Sequence, residues 1–295
     1  MILEPLDSAQ EIEKIANNIL IGSKALGVFP TPIDKIITYT ELSLAHGIDL
    51  SEVEPSFFAK GQYFFGKISR KVLGMIDFRE KTIYLDHSQP EHRKNFVKLH
   101  EVGHGAIPWQ NELLGCQDDE QTIIPEIKEK FEREASFFAS ASLFQLDRFD
   151  EEAAKLPLSI RSARVLAGKF GGSGQASIRR YVERSRKRCA VLVFHKTSKS
   201  GPFPAVVRNY FESPSFTQAF GGLVWPDTCG FEYEFVKDIQ RGRRDHETGQ
   251  IAVTTRSMEM VTLQYHFYNS THNVFVLFLP SGEKNASRVT ILPRS

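Results

Sequence analysis

The chain has 295 residues, enough for one large or two ordinary domains, and 37 basic against 36 acidic side chains leave a formal net charge of +1. That balance gives no reason to expect a polyanion as the main partner. The start, MILEPLDSAQEIEK, lacks the positive charge and apolar core of a secretory signal, no apolar run is long enough for a membrane helix, and Cys116, Cys189 and Cys229 follow no disulfide or C-x-x-C spacing. These features lead us to expect a soluble cytoplasmic protein with no membrane partner.

Taken in order, Ser8 to Leu20 reads as a helix capped by Ser8, with Ile12, Ile15, Ala16, Ile19 and Leu20 as its apolar stripe. Gly22 to Pro32 breaks it, and Pro32 starts a second helix that turns Ile33, Ile36 and Ile37 inward. Gly47-Ile48 ends the next segment and introduces a largely polar stretch to Phe57. Tyr63 to Ile76, interrupted near Gly66 to Lys71, and Thr82 to Leu85 read as strands joined by a turn at Asp77 to Lys81. Asp86-His87-Ser88 then offers capping side chains ahead of a helix whose body begins near Glu91.

That helix carries His100-Glu101-Val102-Gly103-His104, the pattern H-E-x-x-H. Two histidines four residues apart lie one above the other on one helix face, so both imidazoles reach a single metal, while Glu101 lies about 100° round, beside the water such a metal would hold. Neutral nitrogen ligands, an open position and a nearby carboxylate are what a Zn²⁺ peptidase requires. The apolar Phe96, Val97, Leu99 and Val102 suit a cleft wall, and Gly103 permits close approach of another element. His87 and His92 lack ligand spacing and are explained by local capping or exposure. Asn111 to Glu120 reads as polar and irregular, and Cys116 within it, without a partner cysteine, as a small buried side chain.

A third ligand is expected from the helix Pro125 to Leu146, in which Ile127, Phe131, Phe138, Ser142 and Leu146 alternate with charged turns and Ala135, Ala139 and Ala141 allow close packing. Glu132 and Glu134 both offer a carboxylate. Glu132 shares a face with Ser136 and Ala139, whereas Glu134 shares one with charged Lys130, which favours Glu132. An E-R-E run is also what a solvated helix surface carries.

The H-E-x-G-H form at His100 to His104, the stretch Glu132-Arg133-Glu134-Ala135-Ser136-Phe137-Phe138-Ala139-Ser140 and, more weakly, Thr31-Pro32-Ile33-Asp34 together resemble the ImmA/IrrE family of metallopeptidases, over roughly residues 10 to 185. The resemblance implies a zincin-like fold in which His100, His104 and Glu132 bind Zn²⁺ and Glu101 is the general base. It also implies a specific protein substrate, a transcriptional repressor of the helix-turn-helix type. Ser136 stands where the family has an Asn that orients a ligand histidine, and Gln145 where it often has Pro.

Leu156 to Ser159 caps a helix over Ile160 to Phe170, and after a GGSG turn a second helix runs from Gln175 to Lys187. The pair looks like a helix-turn-helix, and RRYVERSRKR offers contacts to phosphate. Packing through Val165, Leu166, Phe170, Ile178 and Val182 explains the same segment without nucleic acid, so direct DNA binding is the minor expectation. Strands follow at Cys189 to Phe194, Ala205 to Val207, Gly230 to Val236, Ile251 to Thr255, Met260 to Tyr268 and Asn273 to Leu279. Tyr265, Phe267, Val274, Val276 and Phe278 alternate as in a half-buried antiparallel sheet. His195, His246, His266 and His272 are read as surface or packed histidines.

The expected fold is α+β: a zincin-like domain over 1–188, including the helical segment 156–188, then a mainly β or α+β domain over 189–295 that binds substrate or senses a signal. The expected function is zinc-dependent cleavage of one protein substrate. The alternative is a non-hydrolytic regulator that binds a repressor or DNA with the same fold.

Overall fold

In a computed structural model that describes residues 6–53, 64–65, 73–115, 124–196 and 204–281, the first apolar stripe forms α1 (Ala9–Gly22), which buries Ile12, Ala16, Ile19 and Leu20. Ser8 sits at its N-cap but makes no side-chain capping bond. Pro32 occupies the N-cap of α2 (Ile33–Tyr39), where its fixed φ helps set the helix start and Ile33, Ile36 and Ile37 are buried. The chain divides into two compact units, Met1–Phe149 with Gly168–Ser173, and Asp150–Ala167 with Gly174–Ser295. Residues 150–167 and 174–188, expected to close the first domain, group with the β-rich unit instead.

In the first unit a four-stranded mixed sheet has the order β1-β4-β3-β2, from β1 (Ser43–Asp49), β2 (Phe64–Phe65), β3 (Gly74–Asp77) and β4 (Thr82–Leu85). β1 runs parallel to β4, with Ser43 beside Thr82 and Leu44 beside Ile83, and the other pairs are antiparallel. β1 ends at Asp49, next to the Gly47-Ile48 pair expected to close this segment. Its burial pattern is irregular, and it is a strand because β4, some forty residues along the chain, supplies its hydrogen bonds. β2 and β3 flank residues 66–72, which with Tyr63 and 54–57 lie outside the described residues.

α3 (Glu91–Ala106) follows the sheet. Its N-cap is Pro90, and Asp86, instead of capping it, accepts from the Ser88 backbone and hydroxyl in a local turn. α4 (Pro108–Gly115) replaces the irregular segment expected from Asn111. Trp109, Leu113 and Leu114 pack with Phe131 and Ile127 of α5 (Pro125–Leu143), a tertiary contact that stabilises so short a helix. Cys116 lies outside the described residues. Beyond α5, Gln145 is buried and ties down the chain before α2: it accepts from Gly27 N at 2.7 Å and donates to Val28 O at 2.8 Å and Thr31 Oγ1 at 3.0 Å.

The second unit carries a six-stranded antiparallel sheet of order β7-β6-β5-β10-β9-β8, from β5 (Ala190–His195), β6 (Ala205–Glu212), β7 (Thr228–Cys229), β8 (Asp245–Thr254), β9 (Met260–Asn269) and β10 (Asn273–Pro280). The apolar runs of β5 and β10 place them at the centre, and every residue of β10 is buried. β10 is therefore not the half-buried strand its alternation suggested. The helices along this part of the chain are α6 (Arg148–Ala154), α7 (Ile160–Phe170), α8 (Gly174–Glu183), α9 (Pro214–Phe220) and α10 (Glu234–Gln240). Phe216 of α9 and Phe235 and Val236 of α10 join Leu192, Phe194, Val276 and Phe278 in one core, while α8 packs on β5 and β6. α10 takes the place of a strand expected over Gly230 to Val236.

Ser159 does cap α7, accepting from Ser162 N at 3.1 Å, although Val165 is exposed and contributes nothing to packing there. The basic segment that begins in α8 uses its charge within its own unit. Arg179 bonds both oxygens of Glu183 and lies over the Phe211 ring, and Arg184 meets Asp150 at 2.6 Å.

Candidate metal centre

α3 and α5 cross closely where Gly103 faces Ala135, with the Phe138 ring beside them. A Cβ on Gly103 would lie 3.1 Å from Ala135 Cα and 3.3 Å from Ala135 O, so glycine is what lets the two backbones meet this closely. On the other side of α3, β3 comes down at Gly74, where a Cβ would meet Val97 Cγ1 and stand 2.9 Å from Glu101 Oε1. The motif is held between a helix and a strand, and His100, Glu101 and His104 are all buried.

The consequence is convergence. His100 Nε2 and His104 Nε2 are 3.2 Å apart, Glu132 Oε2 is 3.3 Å from the first and Glu132 Oε1 3.7 Å from the second, and one donor atom from each residue lies within 4.8 Å of the others. Among the described residues this is the one such group of histidine, cysteine and carboxylate donors. Glu132 Oε1 is buried with no hydrogen-bond partner among the described residues, and so is Glu101 Oε2. Two imidazoles, a carboxylate and orphaned oxygens beside them match the donor set of a catalytic Zn²⁺ site, so the residues present fit a divalent cation.

Burial shapes the electrostatics. It pushes Glu101 up to about 8, an effect His100 opposes and Glu132 reinforces. His104 is held well below the ordinary histidine value, chiefly by burial and then by the charge of His100, and is the neutral imidazole a metal ligand must be. His100 goes the other way. Burial disfavours its charged form, but the hydrogen bond to Glu132 and the carboxylates of Glu101 and Glu132 outweigh that and raise it.

A second ring of side chains grips the histidines. Ser136 Oγ lies 3.3 Å from His100 Nδ1, so the shorter serine still reaches the nitrogen that an Asn was expected to orient. His104 Nδ1 lies 2.8 Å from Gln110 Oε1. Gln110 Nε2 donates to Glu134 Oε2 at 2.8 Å, as does Trp109 Nε1 at 2.8 Å, and the Ser8 hydroxyl donates to Glu134 Oε1 at 2.6 Å.

The structure thus brings together all four residues singled out by sequence, and Glu132 rather than Glu134 faces the histidines. Glu134 is not on a solvated face, however: it is fully buried. Gln110 and Trp109 were not anticipated, because a glutamine and a tryptophan after Pro108 carry no periodic signal. The missing cap at Ser8 is explained by the same network. His87, His92, His195 and His272 are exposed, and His246 and His266 lie on β8 and β9 in the sheet of the second unit, His246 bonded to Asp238 at 2.6 Å.

No curated protein matches this sequence at a significant level. Among solved structures, a Mycobacterium tuberculosis transcriptional regulator is similar in fold, with a TM-score of 0.52 at 10% identity over 93% of this chain and 78% of that one. Residues 64–180, the stretch that holds H-E-x-x-H, Gln110, Glu132 and Glu134, match the peptidase family described as the IrrE N-terminal-like domain.

Proposed function

We propose that this chain is a zinc-dependent endopeptidase that cuts a specific protein, a helix-turn-helix transcriptional repressor, in the cytoplasm. The observation that carries the reading is the convergence of His100, His104 and Glu132 with the Glu101 carboxylate buried beside them. Zn²⁺ held by those three residues would polarise a scissile carbonyl and acidify a water molecule. Glu101 takes the proton from that water and returns it to the departing amine, and its burial raises its basicity toward the range such a shuttle needs. A Cβ at Gly74 on β3 would stand 2.9 Å from Glu101 Oε1, so glycine at that position leaves room for the carboxylate.

The choice of substrate is supported by the family resemblance and by the fold shared with a transcriptional regulator. The alternative, a regulator that binds repressor or DNA without cutting, drew on Ser136 and on the basic helix. Ser136 reaches His100, and Arg179 and Arg184 of the basic segment are already paired. Incubation of the metal-loaded protein with candidate repressors tests the proposal: one discrete cleavage, absent with Glu101→Gln, is expected. Intact repressor under saturating metal, with a stable complex in its place, would favour the non-hydrolytic reading.

A further inference from the structure

Gln110 sits in a position where its orientation is determined by its neighbours. Its amide faces two groups that only accept, Phe131 O at 3.3 Å and Glu134 Oε2 at 2.8 Å, so the NH₂ must point to them and Oε1 must point to His104 Nδ1. An amide oxygen only accepts. His104 must then carry its proton on Nδ1, and its Nε2 lone pair is left facing His100 Nε2 and Glu132.

Glu134 is pinned in turn. Trp109 Nε1 and the Ser8 hydroxyl, donors from α4 and from the start of α1, take up its two oxygens together with Gln110. Glu134 and Gln110 are both completely buried, so water does not compete for the bond between them, while Ser8 and Trp109 are partly buried. Every link is satisfied and its direction follows from donor and acceptor chemistry alone.

We propose that Ser8, Trp109, Glu134 and Gln110 form a relay that locks His104 as the Nδ1–H tautomer with Nε2 aimed at the metal, and that Gln110 and Glu134 are therefore positioning residues that set metal affinity. This rests on the metal reading of His100, His104 and Glu132. It assigns the second acid of the Glu132-Arg133-Glu134 run a role distinct from the first: Glu132 faces the ion and Glu134 the histidine behind it. It also makes the start of α1, 126 residues from Glu134, part of the site.

The first test needs no variant and no metal. Two-bond ¹H–¹⁵N correlation of the imidazole rings in the metal-free protein should show His104 protonated at Nδ1 and bare at Nε2; an Nε2–H tautomer overturns the relay. The second measures Zn²⁺ affinity by competition with a chromophoric chelator. Gln110→Leu, which removes the acceptor while keeping an apolar side chain of similar length, should weaken binding about 10- to 100-fold and release the His104 tautomer preference. The double variant Gln110→Glu, Glu134→Gln exchanges amide and carboxylate but keeps an acceptor at His104 Nδ1, and should recover most of the loss. Wild-type affinity in Gln110→Leu, with His100→Ala unable to bind, would sink the relay and leave the metal site standing. Equal binding by wild type and His100→Ala would sink the site reading, while the tautomer spectrum still reports separately on the hydrogen-bond chain.

Discussion

Gly103 and Ala135 meet backbone to backbone, with 3.1 Å between the place a glycine Cβ would take and the Ala135 Cα. Glu132 lies one turn before Ala135 on α5 and His104 one residue after Gly103 on α3, so this contact sets the distance across which the carboxylate meets the imidazoles. Gly103→Val should push the helices apart, lowering stability by about 1–3 kcal/mol and Zn²⁺ affinity with it. Urea unfolding of the metal-free protein and a metal titration measure the two effects, and a variant as tight and as stable as wild type would refute the role of the contact.

Glu101→Gln preserves shape and removes the carboxylate proposed as the base. Zinc content is expected to stay at the wild-type level while cleavage falls about 10²- to 10⁴-fold. Proteolysis that survives unchanged would remove Glu101 from the mechanism.

The two acids of α5 should fail in different ways. Glu132→Ala deletes a proposed ligand, so metal binding should collapse while the metal-free protein keeps its unfolding midpoint. Glu134→Ala strands the Trp109, Gln110 and Ser8 donors, at about 1–3 kcal/mol for each buried group left unsatisfied. Its loss of stability should appear before any metal is added. Loss of metal binding in Glu134→Ala alone, with Glu132→Ala unaffected, would reverse the assignment.

Burial holds His266, on β9, below the ordinary histidine range, an effect opposed by Glu247 and aided by His246. The folded form therefore takes up its proton at lower pH than the unfolded chain. The stability this contributes is complete above the unfolded value of 6.5 and is lost as pH falls through the folded value, since the unfolded state binds more protons in that window. His266→Phe should flatten the decline in unfolding midpoint on acidification from about pH 7.5 to about pH 5.5, the range that brackets the ordinary histidine value. An identical decline in the variant would assign the pH dependence to other groups.

Local pattern made much of this legible. The i, i+4 spacing of His100 and His104 is a property of the helix alone, and α3 displays it as expected. Ala135 and Ala139 signalled the close crossing because small side chains admit a neighbour wherever it comes from. Glu132 could be preferred over Glu134 from its face, but the ground for setting Glu134 aside fails: charge four residues away, at Lys130, does not put a helix face in water when α1 and α4 cover it.

What the sequence by itself determined is the set of atoms that can act: two imidazoles on one helix face, a carboxylate beside them, a second helix carrying acids, and apolar runs sufficient for a β-rich unit. Tertiary structure decided which atoms face one another. β1 exists because β4 bonds to it, β10 is buried along its whole length at the centre of its sheet, and Ser8, expected to cap α1, donates to a carboxylate 126 residues away. Periodicity reports how one element presents its faces over a few residues, whereas a hydrogen bond between distant residues depends on how several elements pack. For that reason the two histidines could be picked out from spacing as candidate ligands, whereas the contact of Gln110 with His104 and the burial of Glu134 could not.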